Sequence, residues 1–315
     1  MLRDIGRFYR EAPEDLAALE GQLTSLDDYL KDKGFCQAFR DDHLLPQAAA
    51  IWSMPLSAVG AYPAAALIRF FQNHGMMTVF GRGLWRTVEG GARAYVRRLL
   101  EEFRGELRLG ARVTAIRRDA DSVELQVAGA PPETFEAVVI ATHADHALHI
   151  LGQPGADEIR LLETFRYSDN TAVLHTDASL MPKRRAAWSS WNHLGRRDAP
   201  DEGCVSYWMN RLQGLEGARD DLFVTLNPPH EPAPETVIRR MTYQHPIFDA
   251  AAIAAQRTLW SLQGRRRTWF CGSYFGHGFH EDGLQSGLSV AEALGGVRRP
   301  WTVENESARI HVSAG

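Results

Sequence analysis

The sequence predicts a mixed fold, part α/β and part α+β, on three observations. The first eighty residues carry helical patterning and no convincing strand, and the middle of the chain is a series of short strand-like runs between turn residues. Near the C-terminus a strand, a glycine-punctuated loop and a helix follow one another in TWFCGSYFGHGFHEDGLQSGLSVAEAL, Thr268 to Leu294. At 315 residues and 44% hydrophobic content, the chain can bury the core of one large or two medium domains.

In the helical stretch, Ser25 is placed to cap SLDDYLKDKG, with acidic residues in its first turn, lysines in its last and Gly34 to stop it. Further helical pieces are expected at Phe35 to Asp42 and Leu44 to Trp52. Pro63 then heads PAAALIRFFQNHG, where Leu67, Phe70, Phe71 and His74 recur at helical spacing and Gly75 ends the run. That apolar face reads either as a core-facing helix or as the wall of an apolar substrate tunnel, with Phe70 and His74 as candidate substrate contacts.

From residue 83 to 159 the pattern is a helix, a hairpin and a buried strand. Val96, Leu99, Leu100 and Phe103 share one helix face, ARVTAIRR and SVELQVA alternate as paired strands, and FEAVVIAT is a continuous apolar run of the parallel, buried kind. His143, Asp145, His146 and His149 follow. On a helix His146 and His149 could share a face while His143 stays on the preceding loop, with no fourth ligand indicated, so no metal is expected.

Residues 160 to 250 read as an antiparallel sheet: NTAVLHTD, AAWSSWNHL, CVSYWMNRLQ, LFVTLNPP and TVIRRMTYQHP are separated by Gly, Pro, Asp or Arg clusters. Trp188, Trp191, Asn192, Tyr207, Trp208, Met209 and Asn210 set aromatic surface beside amides. They read as a substrate wall or as an aromatic core. A helix over Ala250 to Gly264 leads to Arg265, Arg266 and Arg267, read as a solvated strand start.

Four glycines, Gly272, Gly276, Gly278 and Gly283, let the backbone of the last loop approach a ligand closely, and the helix start behind it favours an electron-rich atom. Within HGFHED, His277, His280 and Asp282 imitate a two-histidine, one-carboxylate set. His280 is also a candidate substrate contact.

The loop and helix, above all GFHEDGLQSG, resemble the flavin-containing amine oxidase and phytoene desaturase superfamily. Within it they resemble the bacterial NAD/FAD-binding oxidoreductases that are similar to the N-terminal domain of plant cyclopropane fatty acid synthases. The resemblance implies FAD as cofactor and a partial FAD-binding (Rossmann-like) domain, interrupted by an inserted substrate domain of antiparallel sheet plus helices. Residues 1–82 would be the helical part of the substrate domain and 83–159 part of the FAD-binding domain. Residues 160–250 would be the substrate sheet, 251–299 the returning strand, loop and helix, and 300–315 a tail that wraps the surface or frays. Cofactor contacts are implied at Val113 (adenine, through its backbone), Ala141, Thr142, Gly272, Ser273, Gly278, Gly283, Leu284, Ser286 and Gly287. Two departures stand out. Ser273 replaces the glutamate usual after the first loop glycine, and residues 1–80 hold no GxGxxG turn, GRGLW at Gly81 to Trp85 having only two of the glycines. The expectation is a fragment or a natural loss of the ADP-binding unit, either of which leaves an edge strand and apolar helix faces open to self-association.

The function implied is hydride transfer from an apolar, lipid acyl-type donor to flavin, an oxidation or desaturation. The alternatives are a non-catalytic lipid- or partner-binding scaffold and a true amine oxidase. For the last, Lys183 in MPKRR is a poor match to the lysine many amine oxidases use. A net charge of -4 gives no electrostatic case for nucleic acid, and Cys36, Cys204 and Cys271 are too few and scattered for a disulfide framework. With no apolar leader in MLRDIGRFYREAPED, and Ala58 to Phe71 too short to span a bilayer, a cytoplasmic protein is expected, with peripheral membrane contact left open.

Overall fold

The computed structural model describes residues 1–19, 21–52, 54–81, 86–195, 199, 203–215, 217–303 and 306–312. Residues 82–85 of the GRGLW run, with the expected boundary at 82/83, lie outside the described residues. In chain order the elements are α1 (Leu2–Leu19), α2 (Leu26–Asp32), α3 (Gln37–Phe39), α4 (Leu45–Trp52), α5 (Leu56–Val59), α6 (Ala64–Asn73) and α7 (Ala92–Glu102). Then follow β1 (Val113–Arg118), β2 (Val123–Val127), β3 (Glu133–Phe135), β4 (Val138–Ile140), α8 (Ala144–Ile150), α9 (Ala156–Leu162), β5 (Arg166–His175), β6 (Trp191–Leu194) and β7 (Cys204–Trp208). The chain ends with α10 (Met209–Leu212), β8 (Phe223–Leu226), β9 (Val237–Ile247), α11 (Ala250–Leu259), β10 (Thr268–Phe270) and α12 (His280–Ala293). Two compact units result: Met1–Gly105 with Ser168–His245, and Glu106–Tyr167 with Pro246–Gly315.

The first unit joins a helical layer to a five-stranded sheet of order β6-β7-β8-β5-β9. In α1, Phe8, Ala12 and Leu16 recur every fourth residue and all are buried. Phe8 meets Tyr29, Phe35 and Phe39 at ring-centroid distances of 6.5, 5.9 and 5.5 Å, so the short helices close around one aromatic centre. Ser25 does cap α2, accepting from Asp28 N–H at 3.1 Å. The helix expected to run through Asp42 instead changes pitch, with a π-type turn over Arg40–Leu44 between α3 and α4. α6 buries Leu67, Ile68, Phe70 and Phe71, so its apolar face is core.

Across the sheet one polar chain is fully buried. His175 Nδ1 accepts from Asp177 N–H at 3.1 Å, which puts the ring proton on Nε2 to be donated to Thr225 Oγ1 at 2.8 Å. Thr225 must then donate to Ser206 Oγ at 2.8 Å, and Ser206 to Leu180 O at 2.7 Å. Every member is satisfied in only one direction, so burial holds His175 neutral, with its pKa below the ordinary histidine value.

The second unit carries the three-stranded sheet β1-β2-β3 and the parallel pair β4 and β10, with Thr268, Trp269 and Phe270 in register with Val138, Val139 and Ile140. Gln263 serves as a side-chain strand for the outer edge of β10, donating to Phe270 O at 2.7 Å and accepting from Phe270 N at 2.8 Å. Behind the sheets, Arg118 and Glu158 form a buried bidentate pair at 2.5 and 2.9 Å. Burial alone would raise the Glu158 carboxyl, but Arg118 and the Gly155 N–H hold its pKa below the usual value.

The arginine run corrects the sequence reading. Arg265–Arg267 is a 3-10 turn with Arg266 and Arg267 at φ +50° and +60°, not a strand start. Arg266 donates to Gln153 O at 2.7 Å and Arg267 to Ala120 O at 3.0 Å, so the guanidiniums staple the unit's loops. No helix among the described residues is long and apolar enough to cross a membrane.

Candidate functional site

In the second unit, β4 and β10 end side by side, and the loops leaving their carboxyl ends are where an open parallel sheet accepts a ligand. Cys271 N–H donates to Ile140 O at 3.1 Å, which locks Ala141 and Thr142 beside Gly272 and Ser273. Gly272 sits at φ +153°, and a Cβ there would lie 2.7 Å from the Tyr274 ring. Its N–H donates to Ser286 Oγ at 3.0 Å, and that hydroxyl can pass its own proton to Gly283 O at 3.0 Å. One serine thus ties the loop to the first turns of α12. Gly278, at φ +92°, would carry a Cβ 2.8 Å from the Phe248 ring.

Two glycines have no such packing reason. A Cβ on Gly287 would meet nothing within 4 Å, and one on Gly283 would reach only Ser273 N at 4.0 Å. They lie four residues apart on one face of α12, next to Leu284, which is 52% exposed. Glycine inside a helix costs about 0.5–1 kcal/mol relative to alanine. A smooth, open face kept at that cost is what a flat ligand needs.

The start of α12 is held from behind. Asp282 is fully buried and accepts from Phe279 N at 2.8 Å and from Arg309 Nε and Nη2 at 2.7 and 3.2 Å. Asp282 therefore faces the tail, and the tail is anchored there, with Ile310 buried. Among the described residues, the ligand-type atoms that converge belong to His143, Asp145 and His146, within 4.8 Å of one another, whereas the sequence paired His146 with His149. His143 stacks on Tyr167 at 4.2 Å, and burial lowers its pKa, helped by His146.

Of the sequence-derived cofactor set, Ala141, Thr142, Gly272, Ser273, Gly283 and Ser286 come together, with Leu284 and Gly287 on the same helix and Gly278 in the same loop. Val113 begins β1 in the three-stranded sheet. The candidate substrate residues divide. Phe70 is buried and stacked on His74 at 3.9 Å. Trp188 packs with Met181 and Phe223 and donates to Pro182 O at 2.7 Å, and Trp208 donates to Asp221 at 2.9 Å. Asn192 holds Ser189 and Ser206, and Asn210 holds Asp220 and Leu222. Their polar atoms are satisfied within the first unit, so these residues build the sheet. Trp191, edge-on to Tyr207 at 5.3 Å, is 45% exposed, and His280 is exposed as well.

The cavities of the first unit name residues the sequence left aside. One of about 870 Å³ is lined by the π-type turn (Arg40, Asp41, Asp42), Leu56 and His193, and one of about 340 Å³ by Met54, Leu56, Val205, Leu226 and His193. His193 and Leu56 border both. Gly195 and Gly203 leave room for the His193 ring, which a Cβ would approach to 2.9 and 3.1 Å, and burial lowers the ring's pKa. The only sequence sign was a histidine in a strand two residues before Gly195.

The family model for flavin containing amine oxidoreductases matches residues 8–176. The chain belongs to that family, whose cofactor is FAD. The same fold recurs in the CLA-producing fatty acid isomerase from P. acnes (16% identity, TM-score 0.54, covering 79% of this chain and 61% of that one). It recurs in putrescine oxidase bound to putrescine (12%, TM-score 0.63, 93% and 75%) and in cyclohexylamine oxidase from Brevibacterium oxydans IH-35A (15%, TM-score 0.57, 93% and 74%). The chain thus spans 61% of the isomerase's length. No curated protein matches it in sequence. The bend fits a flavin: Gly272 permits the close backbone turn, and the bare face at Gly283 and Gly287 admits a planar ring.

Proposed function

We propose that this chain serves an FAD-dependent oxidoreductase acting on an apolar substrate, a lipid acyl chain being the class it suits best. The observation that carries the reading is the unpacked glycine pair Gly283 and Gly287 beside the Gly272 bend. Bound flavin supplies a hydride acceptor. The protein's part is to hold it: Ser286 fixes the bend against α12, Asp282 and Arg309 fix the helix start, and the backbone at Ala141 and Thr142 closes the other side. For the substrate, the cavity bordered by Met54, Leu56, Val205 and Leu226 offers apolar walls to an alkyl segment, and the fold is shared with a fatty acid isomerase. Neutral His193, at that cavity's border, can accept or donate one hydrogen bond without presenting a charge. Lys183 is exposed on a turn, so amine oxidation gains no buried lysine from this chain.

The test is to purify the full natural protein, record its visible absorption, and add lipid fractions and simple amines without oxygen. Bound flavin that bleaches with a lipid fraction is expected. Flavin that stays oxidised with every lipid class and bleaches with amines contradicts the substrate assignment, and a colourless protein that binds no added FAD contradicts the cofactor assignment.

A further inference from the structure

Beyond the carboxyl end of β4, the start of α8 brings three ligand-type side chains together. The donor atoms of His143, Asp145 and His146 lie within 4.8 Å of one another. An ion equidistant from them stands at most about 2.8 Å from each, so side-chain shifts of about 0.7 Å reach zinc-type bonds of about 2.0–2.2 Å. A second observation points to a ligand. His143 Nδ1 is shielded from solvent and has no hydrogen-bond partner among the described residues, and a buried polar atom left so marks a place for a water or an ion. Tyr167 holds the same ring by stacking at 4.2 Å, and its hydroxyl accepts from Ala144 N–H at 2.9 Å, which fixes the turn that carries all three side chains. Asp145 engages one oxygen with His146 N–H at 2.8 Å and keeps the other for a cation. The His146 ring lies 5.1 Å from that of His143 and is exposed, so it can turn inward and leaves a path of entry.

We propose that His143, Asp145 and His146 bind a divalent transition cation of the zinc type. Two imidazoles and one carboxylate suit zinc or cobalt, whereas magnesium and calcium favour oxygen ligands. Asp145 supplies the negative charge that a cation beside a helix start needs. Three protein ligands leave the fourth tetrahedral position open to water or an anionic oxygen, the arrangement of a reactive site and not of a closed structural one. The sequence grouped His146 with His149 and found too few ligands, and the fold supplies His143 in place of His149. This inference does not rest on the flavin reading.

Equilibrium dialysis of the full natural protein against Zn2+, after treatment with a chelator, tests it. One Zn2+ per chain is expected, with affinity lowered about tenfold or more in H143N and in H146N and unchanged in H149N. His146 is exposed, so H146N in chelator should melt at the parent's temperature, which separates lost ligation from lost folding. Co2+ in place of Zn2+ should give a visible d–d absorption that H146N abolishes. Failure to bind Zn2+ at one per chain overturns the proposal. So does Zn2+ held as tightly by H143N and H146N as by the parent, an adventitious ion only, or weakened equally by H149N.

Discussion

Replacing Gly287 with alanine separates the two reasons a helix can carry a glycine. If the position were kept for packing, a Cβ would clash, yet within 4 Å it meets nothing. In the flavin-free protein, Gly287→Ala should therefore stabilise α12 by the helix-propensity difference, about 0.5–1 kcal/mol. For a chain of this size that raises the melting temperature by about 2 °C. With a planar ring on the glycine face, the same methyl becomes overpacking, which costs about 1–3 kcal/mol and so weakens FAD binding roughly tenfold. The assay pairs a thermal melt of the flavin-free form with an FAD titration followed by fluorescence. A variant that is less stable without FAD, or that binds FAD as tightly as the parent, would refute the argument that this face is held open for the ring.

Other outcomes follow from the same geometry. Gly272→Ala combines φ +153° with a Cβ 2.7 Å from the Tyr274 ring and should lose about 2–3 kcal/mol in urea melts, a variant as stable as the parent disproving the bend. Arg309→Met leaves the Asp282 carboxylate buried without its cation and should cost about 3 kcal/mol, partly recovered in the double variant with Asp282→Asn. Additive losses would show the pair to be uncoupled. Burial lowers the pKa of His43, His175 and His193 below the ordinary 6.5, and His143 follows with help from His146. The unfolded chain then binds more protons between the folded values and about pH 6.5, so stability should rise with pH through that window and level off above it. Urea midpoints measured across it should show that slope, and a shallower one for His175→Gln; a midpoint independent of pH would contradict the neutral, buried assignment.

How much of this was legible in the sequence depended on the range of the interaction. Ser25 and Gly34 bracket α2 through contacts a few residues long, and the Gly272 to Leu294 pattern reads as strand, bend and helix because its glycines and apolar positions repeat locally. Asp282 was not legible as a structural anchor, since its partner Arg309 is 27 residues away in a tail with no periodicity. Nor were Arg266 and Arg267, whose partners are carbonyls more than a hundred residues back. Trp188, Asn192 and Asn210 have the right types for a substrate wall, but only the cross-strand register shows their polar atoms engaged within the sheet. His193 became a candidate only when the fold placed Leu56 beside it at two cavities.

Hydrogen exchange on the full natural protein, with and without FAD, addresses the glycine bend itself. Slower exchange concentrated in residues 272–287 and at Ala141 and Thr142 is the predicted result. FAD that binds while those amides exchange as before would place the ring elsewhere.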